Sequence, residues 1–208
     1  MIRRVMTAEV GGPAEAFCRA LGRQLGHPTG PMGRLLGHLM GYVNATPNIH
    51  ALEALDLKPH DRVLEVGFGP GIALAEVLRR SGGPHAGIDA SAEMVELATR
   101  RNHQAIRSGR LDLVCGEARE LPWPDGTFDK ALLVNVLYFS DEDGRDLAQV
   151  RRVLRPGGVL VAYVTDDDTM RRWPFTPRDS WTGRTSTRSR GNPAPTRLDL
   201  RVDALKSR

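Results

Sequence analysis

The run Arg62-Val63-Leu64-Glu65-Val66-Gly67-Phe68-Gly69-Pro70-Gly71-Ile72-Ala73-Leu74 carries a β-branched segment ending on an acid, then alternating glycines, then apolar residues at helical spacing. That order predicts a strand, a tight loop and a helix in direct succession. Glycines at 67, 69 and 71 remove every Cβ from one side of the loop, so the backbone can turn sharply and a ligand can lie against main-chain N–H groups. The helix expected from Ile72 aims its unpaired amides and positive dipole end at the same place, which suits a carboxylate or phosphate.

Two ligand classes fit such a loop. A dinucleotide site asks for Gly-x-Gly-x-x-Gly with an acid about 20 residues further on. Here the spacing is Gly-x-Gly-x-Gly, preceded by Glu65. A second strand is expected over His85–Ile88, followed by Asp89-Ala90-Ser91. Ser91 is a good N-cap for a helix running to about His103, with Met94, Val95, Leu97 and Ala98 on its buried side. Asp89 lies 18 residues beyond Gly71, at a strand end where a carboxylate can accept from both ribose hydroxyls of a nucleoside or a dinucleotide.

The stretch Glu65-Val66-Gly67-Phe68-Gly69-Pro70-Gly71 resembles motif I of the class I S-adenosylmethionine-dependent methyltransferases, which implies that the loop holds the methionine end of that cofactor. Further segments resemble the same family, in the same order, over roughly residues 60–165. After a third strand, Leu111–Cys115, the run Gly116-Glu117-Ala118 resembles the segment in which an acid, commonly Asp, and the next backbone N–H contact the adenine edge. Glu117 is one methylene longer than that Asp, whereas the Ala118 backbone contact is indifferent to the change. Leu121–Asp129 resembles the family's linker into the fourth strand, Lys130–Val134, with a turn at Asp125-Gly126 and anchors at Trp123 and Phe128. Asn135-Val136-Leu137-Tyr138-Phe139 lacks the paired prolines of amine-directed relatives, and Leu154-Arg155-Pro156-Gly157-Gly158-Val159-Leu160 resembles the turn before the fifth strand.

Together these segments are similar to the small-molecule group often called type 11. The implied fold is α/β, a Rossmann-like doubly wound, mostly parallel sheet with N-terminal helices and incomplete C-terminal strands. The implied activity is methyl transfer from S-adenosyl-L-methionine to a small-molecule acceptor by in-line displacement. The resemblance places Glu65, Gly67, Phe68, Gly69, Gly71, Asp89, Ala90, Met94, Glu117, Ala118 and Asn135 at the cofactor. Two other classes stay open: an NAD(P)-binding oxidoreductase, and a non-catalytic or truncated S-adenosylmethionine-binding protein.

Residues 1–60 read as a helical cap, residues 61–165 as the cofactor-binding core and residues 166–208 as an atypical basic tail. In the cap, Phe17, Ala20, Leu21 and Leu25 form one apolar face, and Leu35, Leu36, Leu39, Met40 and Val43 form another. A third helix is expected over Pro47–Leu57 with Ile49, Ala51, Leu52 and Leu55 inward. His38, Tyr42, Asn44, Asn48 and His50 are the polar groups there that could face an acceptor pocket, or simply be solvated. Candidate catalytic residues are His38, His50 and Tyr138, a histidine being suited by its near-neutral pKa to take an acceptor's proton.

The chain has 208 residues, enough for one α/β domain with a sizeable core. No run approaches the ~18 apolar residues of a membrane span, and no compact apolar signal core stands at the N-terminus, so a cytoplasmic location is expected. The net charge of +4 resides in the tail, where residues 166–208 hold 10 Lys+Arg and 6 Asp+Glu. Because the folded part is balanced, no specific nucleic-acid partner is expected. Cys18 and Cys115 read as reduced, buried, small apolar residues, and no Cys/His cluster has metal-ligand spacing. Tyr42, Tyr138 and Tyr163 are not followed four residues later by the lysine of a short-chain dehydrogenase pair.

After Thr165 the composition turns to Arg, Thr, Ser, Gly and Pro, which cannot bury enough surface to order itself. Leu198, Leu200 and Val202 alternate as one possible strand. The tail reads as a disordered extension, as a strand on the edge of the fifth, or, as the abrupt change near Pro177 suggests, as the product of a shifted reading frame. An uncovered fifth-strand edge would be a route to a homodimer.

Overall fold

The computed structural model describes Gly30, residues 45–137 and 143–164, and the backbone of 196–198. Six strands form one sheet: β1 (Val63–Val66), β2 (His85–Asp89), β3 (Leu111–Cys115), β4 (Phe128–Val134), β5 (Leu154–Tyr163) and β6 (Thr196–Leu198). Their spatial order is β3-β2-β1-β4-β5-β6. The first five are parallel, with Leu64 opposite Ala86 on one side and opposite Ala131 on the other. Helices α1 (Ala45–Leu55), α2 (Ile72–Arg80), α3 (Ala92–Arg101), α4 (His103–Arg107) and α5 (Arg145–Val153) complete the described elements.

Alternation along the central strands sends apolar side chains to both faces, as a doubly covered parallel sheet requires. Leu64, Val66, Ala131, Leu133, Leu160 and Ala162 pack with Val150 and Val153 of α5. On the opposite face Val63, Leu132, Val134, Val161 and Tyr163 meet Ala51, Leu52 and Leu55 of α1 and Ala73 and Val77 of α2. By the same alternation Glu65 lies on the α1 and α2 face. Strand order reverses between β1 and β4, and open α/β sheets bind ligands at that crevice, outside the strands' carboxyl ends.

Several local expectations hold for visible reasons. Ser91 caps α3, its hydroxyl accepting from the Met94 N–H at 3.4 Å. Gly126 supplies the positive φ of the turn before β4, and Trp123 meets Phe128 edge-on with ring centroids 5.6 Å apart. The helix after Ser91 ends at Arg101 with Asn102 as its C-cap, close to the expected end near His103. Two other expectations are corrected. Ile49 is 51% exposed, because it lies off the stripe formed by Ala51, Leu52 and Leu55. Cys115 is exposed, because β3 is an edge strand with less covering on either face.

The edge of β5 is not bare. β6 pairs with it antiparallel, Leu160 opposite Leu198 and Ala162 opposite Thr196, so the dimerisation route through that edge loses its premise at these residues. Leu198 therefore belongs to a strand as the alternation predicts, while Leu200 and Val202 lie outside the described residues. So do the first two apolar faces of the cap, Cys18, His38, Tyr42, Asn44 and Tyr138. Among the described residues no helix is long and apolar enough to cross a membrane.

Candidate functional site

Glu65 is 3% exposed and stands one residue before the end of β1. Its Oε2 is buried and has no hydrogen-bond partner among the described residues. Burial, and secondarily the charge of Asp89, push its pKa up to about 8, so Glu65 is a neutral acid near pH 7. A small cavity opens beside it, lined by Asn48, Glu65, Gly67, Phe68, Gly69, Pro70, Ile72 and Val134. Four of the residues expected at the cofactor, Glu65, Gly67, Phe68 and Gly69, thus meet around one space.

The loop shows why glycine is needed and corrects what its amides do. Gly67, Gly69 and Gly71 have φ of 67°, 53° and 75°, a region costly for residues with a Cβ. Their N–H groups are spent within the protein: Gly67 donates to Ile88 O at 2.7 Å, Gly69 to Asp89 Oδ2 at 2.8 Å and Gly71 to Phe68 O at 3.0 Å. A ligand therefore does not rest on those three amides. A Cβ at Gly67 would strike Val136, and one at Gly71 would strike Ala98 and Asn102. A Cβ at Gly69 would meet nothing within 4 Å, so this glycine marks the open side of the cradle. Gly71 is the N-cap of α2 and has no side chain to cap the first-turn amides.

Asp89 ends β2 and is half-buried. Its Oδ2 accepts from Gly69 and its Oδ1 from the Ser91 N–H at 2.9 Å, which fixes the carboxylate beside the loop. A carboxylate has about four acceptor sites, and these two backbone donors take one on each oxygen.

The remaining expected residues are more scattered. Phe68 buries its ring with Leu74, Ala98 and Leu111, close over Gly87, where any Cβ would collide with it. Met94 is buried and Ala90 exposed. Glu117 is exposed and ion-paired with Arg119, while Ala118 packs against the core. Asn135 follows β4 with φ 56°, its N–H donating to Tyr163 O at 2.8 Å. His50 stands with its ring centroid 6.5 Å from that of Tyr163, apart from the residues lining the small cavity.

Three supports were not foreseen. Asn102 Nδ2 donates to Gly71 O and Ala98 O, and Arg101 Nε donates to Pro70 O, so the end of α3 ties down the glycine loop. Gly87 clears room for Phe68. A glycine inside a predicted strand is the signal that could have flagged it.

Comparison with known proteins agrees with this fold. The type 11 methyltransferase domain model matches residues 64–162. YdaC of Bacillus subtilis, an uncharacterized methyltransferase, is 33% identical over 125 residues, covering 60% of this chain and 67% of that protein. A demethylmenaquinone methyltransferase of Corynebacterium kroppenstedtii is 34% identical over 107 residues, covering 51% of this chain and 43% of that protein. Among solved structures, a SAM-dependent methyltransferase from Aquifex aeolicus superposes with a TM-score of 0.52 at 22% identity, covering 61% of this chain and 71% of that one, and so shows the shared fold. Across the curated relatives the aligned part runs from 31% to 67% of their length. From the glycine loop, the strand order and these matches together, the chain belongs to the class I S-adenosylmethionine-dependent methyltransferase family.

Proposed function

We propose that the protein binds S-adenosyl-L-methionine in the crevice between β1 and β4 and catalyses methyl transfer to a small-molecule acceptor. The observation that carries this reading is the unpartnered, buried Oε2 of Glu65, a residue that lines a small cavity together with the glycine loop held by Asp89. A buried acid without a partner is costly. A ligand bearing an ammonium at one end and a ribose diol near the other matches the two carboxylates in kind. Glu65 accepts from the ammonium and Asp89 from the ribose hydroxyls, Gly69 leaves room for the chain between them, and the Ala118 N–H is offered to the adenine edge.

When bound, the cofactor supplies an activated methyl group that an acceptor atom takes by in-line displacement. The protein contributes orientation, which can be worth ~7–11 kcal/mol of the barrier. His50, on α1, is the described candidate to take a proton from a hydroxyl acceptor. A small acceptor accords with a relative named for demethylmenaquinone.

The test is calorimetric titration of the full chain with S-adenosylhomocysteine and, in parallel, NADH. Binding of the former with a Kd of about micromolar order, lost in Asp89→Ala, supports the reading. Preferential binding of NADH contradicts it. Binding without methyl transfer to any member of a broad hydroxyl, carbon and amine acceptor panel retains the cofactor and rejects the catalysis.

A further inference from the structure

Asn48 occupies a position that the packing of α1 singles out. Residues 48, 51, 52 and 55 fall on one helical face at spacings of three and four. Ala51, Leu52 and Leu55 are fully buried against the sheet, and Asn48 is the half-buried polar member of the same stripe. An apolar side chain would extend the contact, yet an amide stands there, lining the cavity with Glu65, Gly67 and Gly69.

The orientation of α1 is set at its other end. Lys130 Nζ donates to Leu55 O at 2.7 Å and to Asp56 O, pinning the last turn of the helix at the start of β4. From Leu55 back to Asn48 the helix rises about 10 Å, comparable with the roughly 13 Å that β4 advances from Lys130 to Val134. Asn48 is thereby delivered to the carboxyl end of the sheet, where Val134 and Glu65 share its cavity.

We propose that Asn48 and Glu65 together read the amino-acid end of the cofactor: the Asn48 side-chain amide donates to the α-carboxylate while Glu65 accepts from the α-ammonium. A lone carboxylate attracts any amine. Adding a neutral donor beside it makes the site selective for a zwitterion, because the ligand's anionic group finds a hydrogen bond. An acid at position 48 would instead place like charges together. The inference rests on the cofactor assignment above and adds α1 to the binding machinery.

Three ligands separate these roles: S-adenosylhomocysteine, its decarboxylated analogue, which keeps the amine, and 5′-methylthioadenosine, which lacks both groups. Each is titrated into the full-length wild type and into Asn48→Ala, Asn48→Asp and Glu65→Gln, with thermal unfolding confirming that the variants fold. Asn48→Ala is expected to weaken S-adenosylhomocysteine about tenfold and to leave the other two ligands unchanged, while Asn48→Asp is expected to weaken S-adenosylhomocysteine further without weakening the cationic decarboxylated analogue, again sparing 5′-methylthioadenosine. Glu65→Gln is expected to weaken both amine-bearing ligands and spare 5′-methylthioadenosine. Equal weakening of all three ligands by Asn48→Ala, or no weakening of S-adenosylhomocysteine, overturns the role of Asn48. Wild-type protein that binds none of the three overturns the cofactor assignment and this subsite with it.

Discussion

Glu65 and Lys130 are both buried ionisable residues on adjacent strands, and the fold treats them oppositely. Lys130, 7% exposed, gives its protons to Leu55 O, Asp56 O and the Asp61 carboxylate, the last at 3.0 Å. Glu65, 3% exposed, leaves Oε2 without a partner among the described residues. At the amino ends of the central strands the chain supplies its own replacements for water: Ser81 donates to Asp61 O, and His85 bridges Val63 and Ser81. At the carboxyl end of β1 it leaves one buried oxygen, Glu65 Oε2, without a partner among the described residues. Buried polar groups are normally satisfied, so the unfinished end is where a partner from outside is expected.

The comparison can be broken most severely at Lys130. Lys130→Met removes a buried cation from its acceptors and is expected to cost about 3–5 kcal/mol, read by urea unfolding. A loss below about 1 kcal/mol would mean that the network contributes no more than a surface pair.

Glu65 should show the converse behaviour with pH. Its carboxyl keeps a proton to about pH 8 in the fold but loses it near 4.5 in the unfolded chain. The folded state therefore binds more protons between those values, and stability falls as pH rises through that window, then levels above it. The expected decline is on the order of 3 kcal/mol, and Glu65→Gln should flatten it. A wild type whose stability is level from pH 5 to 8 would contradict a neutral Glu65.

His85 sharpens the contrast at the closed end. Because the Val63 N–H must donate to Nδ1, at 3.3 Å, the ring proton sits on Nε2 and is given to Ser81 O at 3.2 Å. Burial lowers the His85 pKa. Its stabilising contribution is thus present above the ordinary histidine pKa and lost as pH falls through the folded value. Acid unfolding should begin at lower pH in His85→Gln, by a smaller effect than that of Glu65.

The smallest effect is expected where charge pairs are wet. Glu76 is held down to about 2, chiefly by hydrogen bonds from Arg79 and then Arg80 despite some burial, yet the cluster lies on the surface of α2. Solvent screens it, and Glu76→Gln should shift Tm by less than about 2 °C.

Much of this was legible from local sequence. The break from β-branched residues into alternating glycines located β1, the loop and α2, and the loop-to-Asp89 spacing located the second carboxylate, because both are short-range consequences of glycine geometry and strand length. What escaped depended on distant neighbours. The glycine amides looked available until Ile88 O, Asp89 and Phe68 O were seen to occupy them. Gly87 yields to the Phe68 ring, Cys115 is exposed by edge position, and Asn48 gains meaning from a cavity formed with β1 and β4. β6 was partly legible, because Leu198 falls in the alternating run and the edge of β5 was one of the places expected for the tail.

The account turns on Glu65 being a neutral acid kept for a cationic group. Calorimetry of S-adenosylhomocysteine binding near pH 7, repeated in buffers of different ionisation enthalpy, tests this directly. The expected result is release of close to one proton in the wild type and of none in Glu65→Gln. Binding whose heat is the same in every buffer, with wild-type affinity retained by Glu65→Gln, would contradict it.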